Sequence, residues 1–188
     1  MVPEIVFDKR QLDDIRERLG DAEKQAPKLL ARAIRRGLTR MNSQTTKAIS
    51  KELGIKQKTT RQRIWKAWKK KSLRARIRVG KIGLPLIDLG AKQTKKRGVT
   101  VRMRGKRTAV EGAFIQRMPG GHDGVFKRKR ESRFPIIEQR TKALATIARE
   151  AQIPEAVIMD GRVTIMKEID RQVEQVLKRG KLATGGKN

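Results

Sequence analysis

From Leu30 to Leu53, apolar or small side chains return every three or four positions: Leu30, Ala33, Ile34, Leu38, Met41, Thr45, Ala48, Ile49 and Leu53. A helix, with 3.6 residues per turn, stacks those positions on one face, so the unbroken stripe predicts a long amphipathic helix. It starts between Asp21 and Pro27 and stops at Gly54, and Gly37 weakens its middle.

The segments around it follow by the same reasoning. Leu12, Ile15 and Leu19 space a short helix over residues 8–19, with Asp8 as N-cap and Gly20 as its end. Residues 57–71 carry Ile64, Trp65 and Trp68 among helix formers and predict a second helix packed through one tryptophan face. At Ser72 the period changes to two: Ala75, Ile77 and Val79 alternate with Arg74, Arg76 and Arg78, the pattern of a strand with one buried face. LPLIDLG at 84–90, VTVRMR at 99–104, AFIQRM at 113–118 and FPIIEQ at 134–139 are short runs punctuated by Gly and Pro, as in an antiparallel sheet. The loops at 91–98 and 119–124 are expected to be mobile. Helical spacing returns at Ala143, Leu144, Ile147 and Ala148, and again at Ile165, Ile169, Val173, Val176 and Leu177, giving two closing helices broken near Asp160 and Gly161.

The expected fold class is therefore α+β, with long N-terminal helices, a small central antiparallel sheet and C-terminal helices. One domain over 1–180 would comprise a helical region (1–71), a β-rich basic region (72–140) and the closing helices (141–180), with a disordered tail at 181–188. No internal repeat is visible.

Charge narrows the function. Among 188 residues there are 48 Lys and Arg against 19 Asp and Glu, a formal charge of +29 that resists compaction until an anionic partner offsets it. The excess is concentrated: between Glu52 and Glu111 stand 20 Lys or Arg and one acid, Asp88. The candidate DNA- or partner-facing surface begins with Lys69, Lys70 and Lys71. It continues with Arg74, Arg76 and Arg78 on the outward side of the strand, and with Lys92, Lys95, Lys96 and Arg97 on the following loop. Such groups bind phosphates and release counterions. The plain alternative is that they are solvated faces. Pro85–Leu89 and Phe114–Gln116 are expected as strands of the sheet core.

Other chemistry is sparse. The chain has no cysteine, which excludes disulfides, thiolate metal sites and cysteine nucleophiles. His122, the single histidine, lies in the glycine-rich GGHDG as a loop residue, and with Asp123 it does not complete a metal site. No Ser, His, Asp trio or phosphate-binding glycine loop can be assembled, so neither enzyme activity nor a cofactor or metal is expected. No N-terminal stretch resembles a signal peptide, and no run approaches the roughly 20 apolar residues of a membrane span. The expectation is a chain made and kept in a cytosol, with no membrane partner. KAISKELGIKQKTTRQRIWKAW at 47–68 has the outline of a helix-turn-helix DNA reader, but Thr60 and Arg63 fall where apolar docking residues belong. Trp65 and Trp68 could stack on bases, although that spacing is commoner in a core.

A GGHDG loop distinctive of this sequence separates GAFIQRM at 112–118 from RFPI at 133–136, and those two motifs follow in order on ARIRV at 75–79, LPLIDLG at 84–90 and the basic loop after it, five features apart from the GGHDG loop. In these the chain resembles the minor tail protein Z family of lambda-like phages and prophages, over roughly residues 27–150. The first 26 residues and the final helix match in general character alone. The resemblance implies a non-enzymatic structural component of a long-tailed phage. It would be a tail-completion or neck protein at the head-proximal end of the tail, needed for productive head–tail joining or for placing the DNA end. It implies as partners the tail terminator, the head–tail connector and phage DNA contacted without sequence preference. It further implies a homo-oligomeric ring of six subunits, located in the virion tail or neck and in the bacterial host cytoplasm during assembly. The competing reading is a free basic DNA-binding protein, either a helix-turn-helix-like regulator or a nonspecific binder.

Overall fold

The computed structural model describes residues 4–6, 9–69 and 74–184. Among them the chain runs β1 (Glu4–Val6), α1 (Lys9–Leu19), a 3-10 segment (Gly20–Gln25), α2 (Ala26–Leu53), α3 (Gln57–Arg61), β2 (Ile64–Lys69) and β3 (Arg74–Val79). A second 3-10 turn (Leu86–Leu89) precedes β4 (Lys92–Gln93), β5 (Val99–Met103), β6 (Lys106–Val110), β7 (Ala113–Arg117), β8 (Asp123–Arg128) and β9 (Ile136–Glu138). Helices α4 (Leu144–Glu150) and α5 (Ile153–Thr184) close the chain. The fold class is α+β, with the β structure spread over three three-stranded sheets. Two compact units emerge, one from residues within 1–45, 65–78 and 154–188, the other from 46–64 and 79–153.

In the first unit, α1, α5 and most of α2 enclose an aliphatic core with a sheet ordered β1-β3-β2. Pro27 occupies the first turn of α2, where its missing N–H is not needed. Leu30, Ile34, Met41, Ile165 and Ile169 are among the most deeply buried side chains. Strand β3 alternates as its sequence predicts, Ala75 and Ile77 being fully buried. Two expectations fail here. Residues 57–71 do not form one helix: α3 stops at Arg61, and Ile64–Lys69 is a strand. Ile64 and the two tryptophans favour a pleated surface, and the sheet offers β2 a partner strand. As strand residues three apart, Trp65 and Trp68 take opposite sides, the first exposed and the second half-buried beneath the Arg35 guanidinium. The recognition helix of a helix-turn-helix reader is thereby lost.

The break near Asp160 and Gly161 is also absent, and α5 passes through both residues. Gly161 is buried inside the helix, where an added Cβ would lie 2.6 Å from Met41 Cγ and 3.1 Å from Ile5 Cδ1. Tertiary packing thus outweighs the helix penalty of glycine. The chain breaks earlier, at Gln152, whose φ of 51° separates α4 from α5. Helix α5 runs to Thr184, four residues into the segment expected as a disordered tail, and residues 185–188 lie outside the described residues, as does the Asp8 cap.

The second unit packs Leu84, Leu86, Leu89, Val99, Val101, Val125, Leu144 and Ile147 beneath two sheets ordered β4-β5-β6 and β7-β8-β9. All their pairings are antiparallel. LPLIDLG is not the expected strand. Leu86 and Leu89, three apart, are both buried, a spacing that suits the three-residue 3-10 turn rather than alternation. Pro85 keeps only an isolated bridge to Arg140. Phe114–Gln116 does lie in β7, with Phe114 and Ile115 half-buried and Gln116 exposed. Strand β8 begins at Asp123, inside the segment read as a loop, and β1, β4 and β6 are further strands that the sequence pattern did not expose.

Candidate basic interface

The segment carrying Lys92, Lys95, Lys96 and Arg97 is a hairpin rather than a loose loop. The Gly98 carbonyl accepts from the Thr94 N–H (2.8 Å), the Thr94 hydroxyl (2.8 Å) and Gln93 Nε2 (3.2 Å), while Thr94 Oγ1 accepts from the Arg97 N–H at 3.2 Å. Gly98 has φ 74°, and a Cβ there would run into the Val110 carbonyl and lie 3.1 Å from Gly112 N. Gln93 Oε1 accepts from the Ile115 N–H at 2.9 Å, fastening the edge strand to β7. The turn therefore holds Lys95, Lys96 and Arg97, all exposed, at its tip.

The neighbouring strands extend this charge. Val99 and Val101 point into the core, so Thr100 and Arg102 face solvent. The register places Lys92 opposite Thr100, and Arg102 opposite Arg107. Two arginines directly across an antiparallel pair repel each other. Among the described residues, Lys92, Lys95, Lys96, Arg97, Arg102 and Arg107 have no carboxylate at ion-pair distance. The β5–β6 turn is Arg104–Gly105, with φ of 53° and 77°, both positive as a type I′ turn requires. The Leu53 carbonyl at the end of α2 accepts from the Arg104 N–H at 3.1 Å, and Arg104 also pairs with Glu52 at 2.9 Å. Among the described residues this second-unit face is basic and without matching carboxylates, a surface suited to a polyanion contacted through its phosphates.

In the first unit the outward arginines of β3 are less free. Glu4 is the register partner of Arg76 and pairs with it at 3.2 Å, so that charge is partly neutralised. Arg78 is exposed. Arg74 pairs in register with Val6, and Lys69 ends β2, while Lys70 and Lys71 lie outside the described residues. The basic residues singled out in the sequence thus fall in two separate groups, and Arg102 and Arg107, which were not among them, adjoin the second. The signal for them was Gly105 between VTVRM and KRTAV, two short runs that a tight turn can fold together.

The strongest electrostatic coupling lies on α5. Glu168 is buried and accepts from Arg171 (2.8 Å), Arg36 (2.7 Å) and Gln172 (2.6 Å). The Arg171 hydrogen bond above all holds its pKa down at about 2, against the opposing effect of burial. His122 is exposed, its carbonyl accepting from the Met118 N–H. Among the described residues no His, Cys, Asp and Glu cluster is suited to a metal, and no helix is long and apolar enough to cross a membrane.

Comparison with known proteins bears on this basic surface. The model of a family described as prophage minor tail protein Z matches residues 11–181, a wider span than the 27–150 suggested by the motifs. The tail completion protein of Escherichia phage N15 is 27% identical over 180 residues, covering 89% of this chain and 97% of the relative. No solved structure matches the chain.

Proposed function

Because this chain belongs to the prophage minor tail protein Z family, we propose that it is the tail-completion protein of a long-tailed phage, acting at the head-proximal end of the tail in head–tail joining or placement of the DNA end. The observation that carries this reading is the similarity, over 89% of this chain, to a relative named for tail completion. The unmatched basic face of β4, β5 and β6 supports a role beside the DNA passage. Contacts there need no base readout, only phosphates. Its immediate neighbours in this reading are the tail terminator and the head–tail connector, and six copies form a ring by a head-to-tail interface that closes.

A free, nonspecific DNA binder is the second reading, favoured by the same exposed arginines. An early stop codon in the gene of the parent phage or prophage separates the two. Complete-looking but non-infectious particles, or separate heads and tails in electron micrographs, are the expected result. Normal infectious virions would reject the tail role and leave the free binder.

A further inference from the structure

Helices α2 and α5 of the first unit border a cleft of about 500 Å³ with an unusual lining. Five arginines, Arg32, Arg35, Arg36, Arg171 and Arg179, surround it, together with glutamines and an apolar patch of Leu29 and Val176. Glu168 engages Arg36 and Arg171. Among the described residues no carboxylate pairs with Arg32, Arg35 or Arg179, and Arg35 instead lies over the Trp68 ring, 5.7 Å from its centroid. Gln172, which also lines the cleft, is 5% exposed, and its Oε1 accepts no hydrogen bond while its Nε2 is held by Glu168.

Three exposed guanidiniums without a carboxylate partner favour an anion, and an amide oxygen left without a donor in the lining favours a ligand that also brings an N–H. Carboxylate side chains supply the first and a peptide backbone the second, whereas a phosphodiester carries no donor. The cleft volume is in the range that encloses a small ligand or a few residues of chain. We propose that the α2–α5 cleft is a docking site for an acidic, extended peptide segment of a partner protein. The site stands independently of the tail-completion reading, since it is assayed on the isolated chain.

The test is fluorescence anisotropy of the full chain at physiological salt with a labelled short peptide of alternating Glu and Ala. The corresponding Gln and Ala peptide and a short DNA duplex serve as competitors. Arg32→Gln/Arg35→Gln/Arg179→Gln should weaken peptide binding at least about tenfold. The charge-matched Lys127→Gln/Lys129→Gln/Arg130→Gln, exposed in the second unit, should change it less than about threefold. Arg179→Gln alone, near the end of α5, gives the same direction if the triple variant fails to fold. Equal losses in both triples, or no binding of the acidic peptide to the parent chain, overturns the site. So does displacement by duplex whose own affinity falls with the same arginines, which would make the cleft a nucleic-acid site.

Discussion

Gly37 of α2 faces Ile165 of α5 with no room for a Cβ between them. One turn along each helix the arrangement repeats in reverse, with Met41 of α2 over Gly161 of α5. Each helix thus inserts a bulky side chain into the gap that the other's glycine leaves. Core packing this close tolerates little added volume.

Gly37→Ala is accordingly expected to destabilise the protein by about 1–3 kcal/mol, although alanine is the better helix former. Ile165→Ala removes the atoms that clash. In a denaturation-based double-mutant cycle the pair should be less destabilised than the two single changes added together. Simple additivity would show that the crossing relaxes without cost.

The Glu168 network makes stability depend on acidity. Its carboxyl has a folded pKa of about 2 against an ordinary 4.5. The stabilisation is therefore fully present above the unfolded value and is lost as pH falls from about 4.5 through 2. Allowing for solvent screening of the half-exposed guanidiniums, it amounts to about 2 kcal/mol. Glu168→Gln should cost a comparable amount at pH 7 and flatten the stability profile in that acid window. An unchanged profile in urea titrations would contradict the assignment.

Ser50 Oγ and Thr60 Oγ1 are 2.8 Å apart and buried. Ser50→Ala strands the Thr60 hydroxyl and should cost about 1–2 kcal/mol, whereas Ser50→Ala/Thr60→Val, which removes both partners, should recover part of that loss. Chemical denaturation of the three chains checks the order.

On the basic face, Lys95→Gln/Lys96→Gln/Arg97→Gln and Arg102→Gln/Arg107→Gln should each weaken duplex DNA binding alike for all sequences. The slope of log affinity against log salt should fall by about 0.9 for each phosphate contact removed. Thermal unfolding should stay close to that of the parent, because these side chains are exposed and unpaired. Plaque titres of phage carrying the same changes should drop. A normal titre with a reduced slope would show that DNA contact here is dispensable for infection.

What the sequence determined by itself was local. The stripe from Leu30 to Leu53 and the alternation from Arg74 to Val79 appear as a helix and a strand because burial of one face follows directly from their periods. The clustering of positive charge needed no structure either, and all six unmatched side chains on the second-unit face fall within the acid-poor stretch between Glu52 and Glu111. Tertiary structure decided where local preference was ambiguous or overruled. Ile64–Lys69 became a strand because a sheet was there to pair with it, and Gly161 stayed helical because Met41 fills its gap. LPLIDLG became a turn because burial of Leu86 and Leu89 demanded a three-residue period. The Arg102–Arg107 pair and the arginine-lined cleft arise from residues five or more than a hundred positions apart, and only pairing register and helix packing bring such residues together.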